Sequence, residues 1–258
     1  MADQKLSQLT AREATSGDPF NDLLYYYVAA GATDADKQRK TTPADILTGT
    51  SRRRMAWIFD DLIGVSHFNM FGNVDSSNQN DQEHQGCYKL STKNDPAGAG
   101  FMTSNYNTLQ LGGGAMRLIF WFKAGSLSTS GDRYLLWFGM GADWNTVENQ
   151  SGFYIKYRDN LNGGKWQFVC RNGGAETALD TGITVAANTW YRVQFDVNAD
   201  FSSVAVDING TSAGPITTNI PTNASMAIEA FIVKMTGTSD MELHVDAVSY
   251  MKHLSSGR

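Results

Sequence analysis

The chain has 258 residues, 18% charged and 41% hydrophobic, a globular balance and not that of a disordered polymer. Its net charge of −5 is uneven: residues 1–54 hold 8 basic and 7 acidic residues, so the remainder carries −6, which argues against a nucleic-acid partner. No stretch reaches the roughly 20 apolar residues of a membrane span, so no membrane insertion is expected.

The N-terminus, MADQKLSQLTAREATSG, lacks the apolar run of a signal peptide. The two cysteines, Cys87 and Cys170, are too few for a disulfide framework, which places synthesis in a cytoplasm. The first apolar element is NDLLYYYVAAG at 21–31. Leu23, Leu24, Tyr25, Tyr26, Tyr27 and Val28 form a strand that its own short segment cannot cover. A helix start follows, with Thr42 as N-cap, Pro43 at the first helical position and Asp45 in the first turn. Residues 1–50 are thus one small segment, and 51–258 a second, larger domain.

In that second part the hydrophobic period becomes two. Residues 71–86 are polar and read as an irregular loop. In MRLIFWFKAG, Met116, Leu118, Phe120 and Phe122 share one face, opposite Arg117, Ile119, Trp121 and Lys123. WYRVQFDVNAD places Tyr191, Val193, Phe195 and Val197 against Trp190, Arg192, Gln194 and Asp196. Val204, Val206 and Ile208 continue the pattern. Near the end, Met241, Leu243, Val245 and Ala247 alternate with Glu242, His244, Asp246 and Val248. Such alternation predicts half-buried antiparallel strands. The Asn-Gly pairs in NLNGGK, RNGGAE and DINGTS supply hairpin turns. The expected fold is all-β, an antiparallel sandwich or jelly roll of about a dozen strands.

Motifs for chemistry are scarce. A jelly-roll glycosidase sets paired carboxylates on one strand, typically as Glu-x-Asp-x-x-Glu. The nearest stretch is MELHVDA, where Glu242, His244 and Asp246 share a face without that spacing; it reads as the polar outer face of a strand. The four histidines and two cysteines have no zinc spacing, and no cofactor or metal is expected. The remaining lead is aromatic. Trp144 sits beside Asp143 in a loop, and Tyr154 and Trp190 are out of phase with the apolar faces of their strands. An exposed ring beside Asp or Asn can stack on a sugar while the polar groups take its hydroxyls. Trp144, Asp143, Tyr154 and Trp190 are therefore the candidate glycan-binding residues; the same rings could instead cover a second sheet face or a subunit contact.

The stretch ALDTGITVAANTWYRVQFDVNADFSSVAVDING resembles the concanavalin A-like jelly roll in its laminin G-like form, with WIFDDLIG as an opening strand and MELHVDAVSYM as a closing one. The N-terminal KLSQLTA…DPFNDLLYYYVAAG…QRKTTPADILTG is similar to the anchors of phage tail fibres and related appendages. It departs from them in Tyr26 and Tyr27, where smaller apolar residues are usual. The resemblance implies a bacteriophage virion structural protein: a short tail fibre, head fibre or decoration protein, assembled in the host cytoplasm. Its N-terminus would associate as a homotrimer and plug into other virion proteins through Leu23–Val28. Its jelly roll would project outward, free to bind host-surface polysaccharide without being an enzyme. The alternative is a glycan-degrading depolymerase or glucanase on the same fold.

Overall fold

The structure, a computed structural model, describes residues 54–59, 68–75, 84, 87–93, 98–103, 109–142, 150–221 and 225–253. The chain divides into two compact units, Met1–Arg54 with Gly257–Arg258, and Met55–Ser256. Leu23, Leu24, Tyr25, Tyr26, Tyr27 and Val28 lie outside the described residues, as do Asp143 and Trp144.

Fifteen strands build the described part. They are β1 (Arg54–Phe59), β2 (Phe68–Asp75), β3 (Tyr88–Ser91), β4 (Ala99–Thr103), β5 (Leu109–Gln110), β6 (Met116–Ala124), β7 (Tyr134–Gly141) and β8 (Gly152–Tyr157). After a three-residue 3-10 turn at Asn162–Gly164 come β9 (Lys165–Asn172), β10 (Ala175–Thr184), β11 (Trp190–Val197), β12 (Val204–Ile208), β13 (Thr211–Ile216), β14 (Ser225–Lys234) and β15 (Glu242–His253). The order is β10-β9-β8-β7-β14-β4-β2-β3-β15-β6-β11-β12-β13, with β1 on β15 and β5 on β14. This is the antiparallel sandwich that the alternation predicts, in the concanavalin A-like form that the resemblance implies.

Two sheets arise because β2 belongs to both. Phe68–Gly72 pairs with β4, and Asn73–Asp75 pairs with β3. The bend between them sits at Gly72, with φ of 70°. A Cβ there would stand 2.1 Å from the Gly98 carbonyl oxygen, so only glycine fits.

The inner faces are those of the sequence pattern. Phe120, Phe195 and Val206 are all buried in the main core. The Phe122 ring stacks on Phe138 of the opposite sheet at 3.8 Å. Trp166 meets Phe122, Tyr157 and Tyr191 edge-on, tying the two sheets together. Cys170 follows Trp166 and Phe168 on this face, and burial pushes its thiol up to about 12. The turns match their residues as well: Asn209 and Gly210 both have positive φ, closing the Ile208–Thr211 hairpin in the primed geometry that suits strand twist.

One phase is inverted. The alternation puts Ala247 inward and Val248 outward. Instead β15 carries a bulge against β6 between Val245 and Ala247, so Val248 and Tyr250 join the core. A bulge inserts one unpaired residue and exchanges the faces beyond it.

Candidate functional site

The outer face of the β3-β15-β6-β11-β12 sheet brings charged, amide and indole side chains together. From β6 it takes Arg117, Ile119, Trp121 and Lys123, and from β11 Trp190, Arg192, Gln194 and Asp196. These are the residues opposite the buried alternates of each strand. The register fixes their neighbours: Trp190 pairs with Lys123, Arg192 with Trp121, Gln194 with Ile119 and Asp196 with Arg117. The two indoles therefore occupy diagonal corners of a square whose other corners are cations. Lys123 Nζ lies 4.9 Å from the Trp190 ring centroid, and the Arg192 guanidinium 5.7 Å from that of Trp121. Both indoles are half-buried.

A hydrogen-bonded ladder runs down β11. Arg192 Nη2 donates to Gln194 Oε1 at 2.5 Å, and Gln194 Nε2 donates to Asp196 Oδ2 at 2.6 Å. Arg117 clasps the same carboxylate, Nε to Oδ1 at 2.6 Å and Nη2 to Oδ2 at 3.3 Å. Burial lowers the Arg192 guanidinium from its ordinary value, since a half-buried cation has lost part of its water.

On the other flank, β15 contributes Glu242, His244 and Asp246, and β3 contributes Lys89. Glu242 bridges Lys89 and His244 Nε2, both at 3.3 Å. His244 is buried and its Nδ1 has no hydrogen-bond partner among the described residues. Burial and the nearby Lys123 lower it below the ordinary imidazole value, outweighing Glu242, so the neutral ring is favoured. Asp246, at the bulge, accepts a 2.7 Å bond from His84 Nδ1. The His84 ring stacks on Trp190 at 3.8 Å. His84 thus covers one face of Trp190.

The sequence-predicted binding residues separate here. Trp190 stands in the square just described. Tyr154 does not join it: it lies on β8 in the other sheet and is fully buried. There it packs with Trp137, Val169 and Phe231 as a second cluster, against Phe71 and Val233. Its ring centroid is 4.6 Å from that of Trp137. Tyr154 is out of phase with the main core because it belongs to a second apolar cluster on the other face of its sheet, which alternation alone reads as exposure. Sequence reasoning in turn passed over Trp121, Arg192 and His84. Trp121 and Arg192 carried a signal, the phase opposite the core; the pairing of His84 with Asp246, 162 residues away, carried none.

Chemically, the square sets two indoles, one of them stacked with His84, among amide, carboxylate and guanidinium groups at neighbouring strand positions. That combination suits a ring-shaped ligand with apolar and hydroxylated faces. Among the described residues no group of His, Cys, Asp and Glu could hold a metal ion, and no helix is long and apolar enough to cross a membrane.

Known structures share the architecture. The chain is similar to SO2946 from Shewanella oneidensis MR-1, a protein of unknown function, at 16% identity and a TM-score of 0.58, covering 84% of this chain and 97% of that one. It is similar to peanut lectin at 10% identity and a TM-score of 0.54, over 79% and 99% of the two chains. It is also similar to a carbohydrate esterase of the Shiga toxin-encoding bacteriophage phi24B, at 15% identity and a TM-score of 0.52, over 77% and 97%. At such identities the likeness establishes the fold. No curated protein matches the sequence. Residues 83–246 match the SO2946-like, C-terminal domain family, and the chain belongs to it.

Proposed function

We propose that this is a carbohydrate-binding jelly roll carried as a short appendage of a phage particle, and that it grips glycans on the outer face built by β6 and β11. The observation that carries the reading is the diagonal pair of half-buried indoles, Trp121 and Trp190, set among Arg192, Gln194 and Asp196. Stacking on an indole covers a sugar's apolar face, and the polar groups replace the water its hydroxyls lose. The occurrence of the same fold in a lectin and in a phage carbohydrate esterase supports it. The N-terminal resemblance to fibre anchors supports the appendage: a homotrimer joined to other virion proteins through residues 1–50, without enzymatic activity.

Display of the full chain on an array of host-surface polysaccharides tests the first part. Binding to at least one glycan, abolished in Trp121→Ala and weakened in Trp190→Ala, is the expected result; a blank array contradicts it. Co-purification with phage particles tests the appendage. One observation favours the enzymatic alternative: the His84–Asp246 pair beside Trp190 would orient an imidazole for general acid–base work. Release of reducing ends from a polysaccharide that binds would establish that reading instead.

A further inference from the structure

We infer that the glycan taken by the β6–β11 face is an acidic one, its uronate carboxylate held by Arg192 while the sugar ring stacks on Trp121. This rests on the glycan-binding reading and names the ligand class within it.

Three observations carry it. First, Arg192 and Trp121 are directly cross-strand partners on the outer face, with the guanidinium 5.7 Å from the ring centroid. The guanidinium lies over the indole, so a ligand edge resting on the ring beside it meets the cation without either strand moving. Second, the Arg192 guanidinium is half-buried, yet its side-chain hydrogen bond goes to the neutral Gln194 and it forms no ion pair among the described residues. A partly desolvated guanidinium normally finds a carboxylate, since its planar fork matches one with two parallel bonds.

Third, the acids around it, Asp207 and Asp196, favour its charge from a distance but accept their hydrogen bonds from other groups. Asp196 is clasped by Arg117 and takes the Gln194 amide. Asp207 accepts the Gly210 backbone N–H at 2.8 Å. Arg117 adds charge of the same sign nearby. Lys123, one position along β6, extends the positive side of the square to Trp190. The −6 carried beyond residue 54 makes a pair of outward cations flanking two indoles an exception to the domain's charge. The arrangement therefore complements a flat ring bearing one negative group at its edge. A neutral hexose would leave the guanidinium with hydroxyls alone.

The test is titration calorimetry of the full chain with polygalacturonate, dextran and dextran sulfate. Arg192→Gln and Arg192→Lys are compared, and thermal melts confirm that each variant is folded. Polygalacturonate should bind at least about tenfold tighter than dextran, roughly one charge-assisted hydrogen-bond pair. That margin should vanish in Arg192→Gln and shrink in Arg192→Lys, which cannot present the fork. Equal binding of polygalacturonate and dextran, or binding of dextran alone, would overturn the inference and leave the glycan-binding reading standing. Dextran sulfate bound as tightly as polygalacturonate would overturn the assignment to a carboxylate. A preference that survives Arg192→Gln would overturn the role of Arg192. The wild-type comparison decides the ligand class even if neither variant folds. Binding of none of the three would count against the glycan-binding reading, and this inference would fall with it.

Discussion

At the scale of single residues, phase decides what can be read ahead of structure. Phe195 shares its phase with Val193 and Val197 and is fully buried, in contact with Phe120, Phe153 and Phe168. Phe195→Ala should cost about 3–5 kcal/mol in denaturant unfolding, because the ring's place cannot collapse between two sheets. Phase fails where burial has another source. Tyr154 alternates away from the main core and is still enclosed, clustered with Trp137, Val169 and Phe231 on the other face of its sheet. His244 shows a second limit. Its outward phase suggests a solvated imidazole, but burial and Lys123 disfavour its charge, with Glu242 opposing and Lys89 adding to the effect. Its folded pKa is below the unfolded value of 6.5, so the unfolded chain binds the proton more readily. The stability contributed by the neutral ring is full above about pH 7 and is lost as pH falls through 6.5 toward the lower folded value. His244→Gln should flatten the dependence of Tm on pH between about 7 and 5. An unchanged slope would show that His244 carries its proton equally in both states.

At the scale of elements, the sequence marks the strands and turns but not the devices that join them. The Asn-Gly turn at 209–210 is legible because a primed hairpin needs positive φ at both central residues. The bulge in β15 is not, because Ala247 and Val248 are adjacent apolar residues and either can face the core. The register against β6 settles it and sets Asp246 at the bulge, where it accepts the His84 bond. Gly72 is equally silent: residues 71–75 fall in the stretch expected to be an irregular loop, but they belong to β2, and Gly72 lets that strand serve both sheets. Gly72→Ala combines a left-handed backbone with a Cβ against the Gly98 carbonyl, and should cost more than about 2 kcal/mol. A variant melting within a degree of the wild type would show that β2 can leave one sheet without loss.

At the scale of the whole molecule, the sequence pattern was sufficient for the fold class. Alternation in β6, β11 and β12 defines half-buried antiparallel strands, and their length and number leave few architectures. The candidate site was only partly legible. Trp190 was singled out, but its cross-strand neighbour Lys123, and the Trp121–Arg192 pair beside them, follow from register, which no local pattern specifies. The proposed division of labour makes a further prediction. A chain lacking residues 1–50 should remain a cooperatively melting β protein, because the sandwich has its own core. It should lose trimer formation and incorporation into particles while keeping glycan affinity. Light scattering and particle binding measure the two losses separately, and normal particle occupancy by the truncated chain would place the anchor in the jelly roll.

The central claim is that the outer face of β6 and β11 is a glycan platform. The direct measurement is the affinity of the full chain for its best array glycan, compared with a Trp121→Ala/Trp190→Ala double variant of unchanged melting behaviour. The claim predicts at least a hundredfold loss, roughly the worth of two stacked rings. An affinity within a factor of about two of the wild type would contradict it and place any glycan contact elsewhere on the molecule.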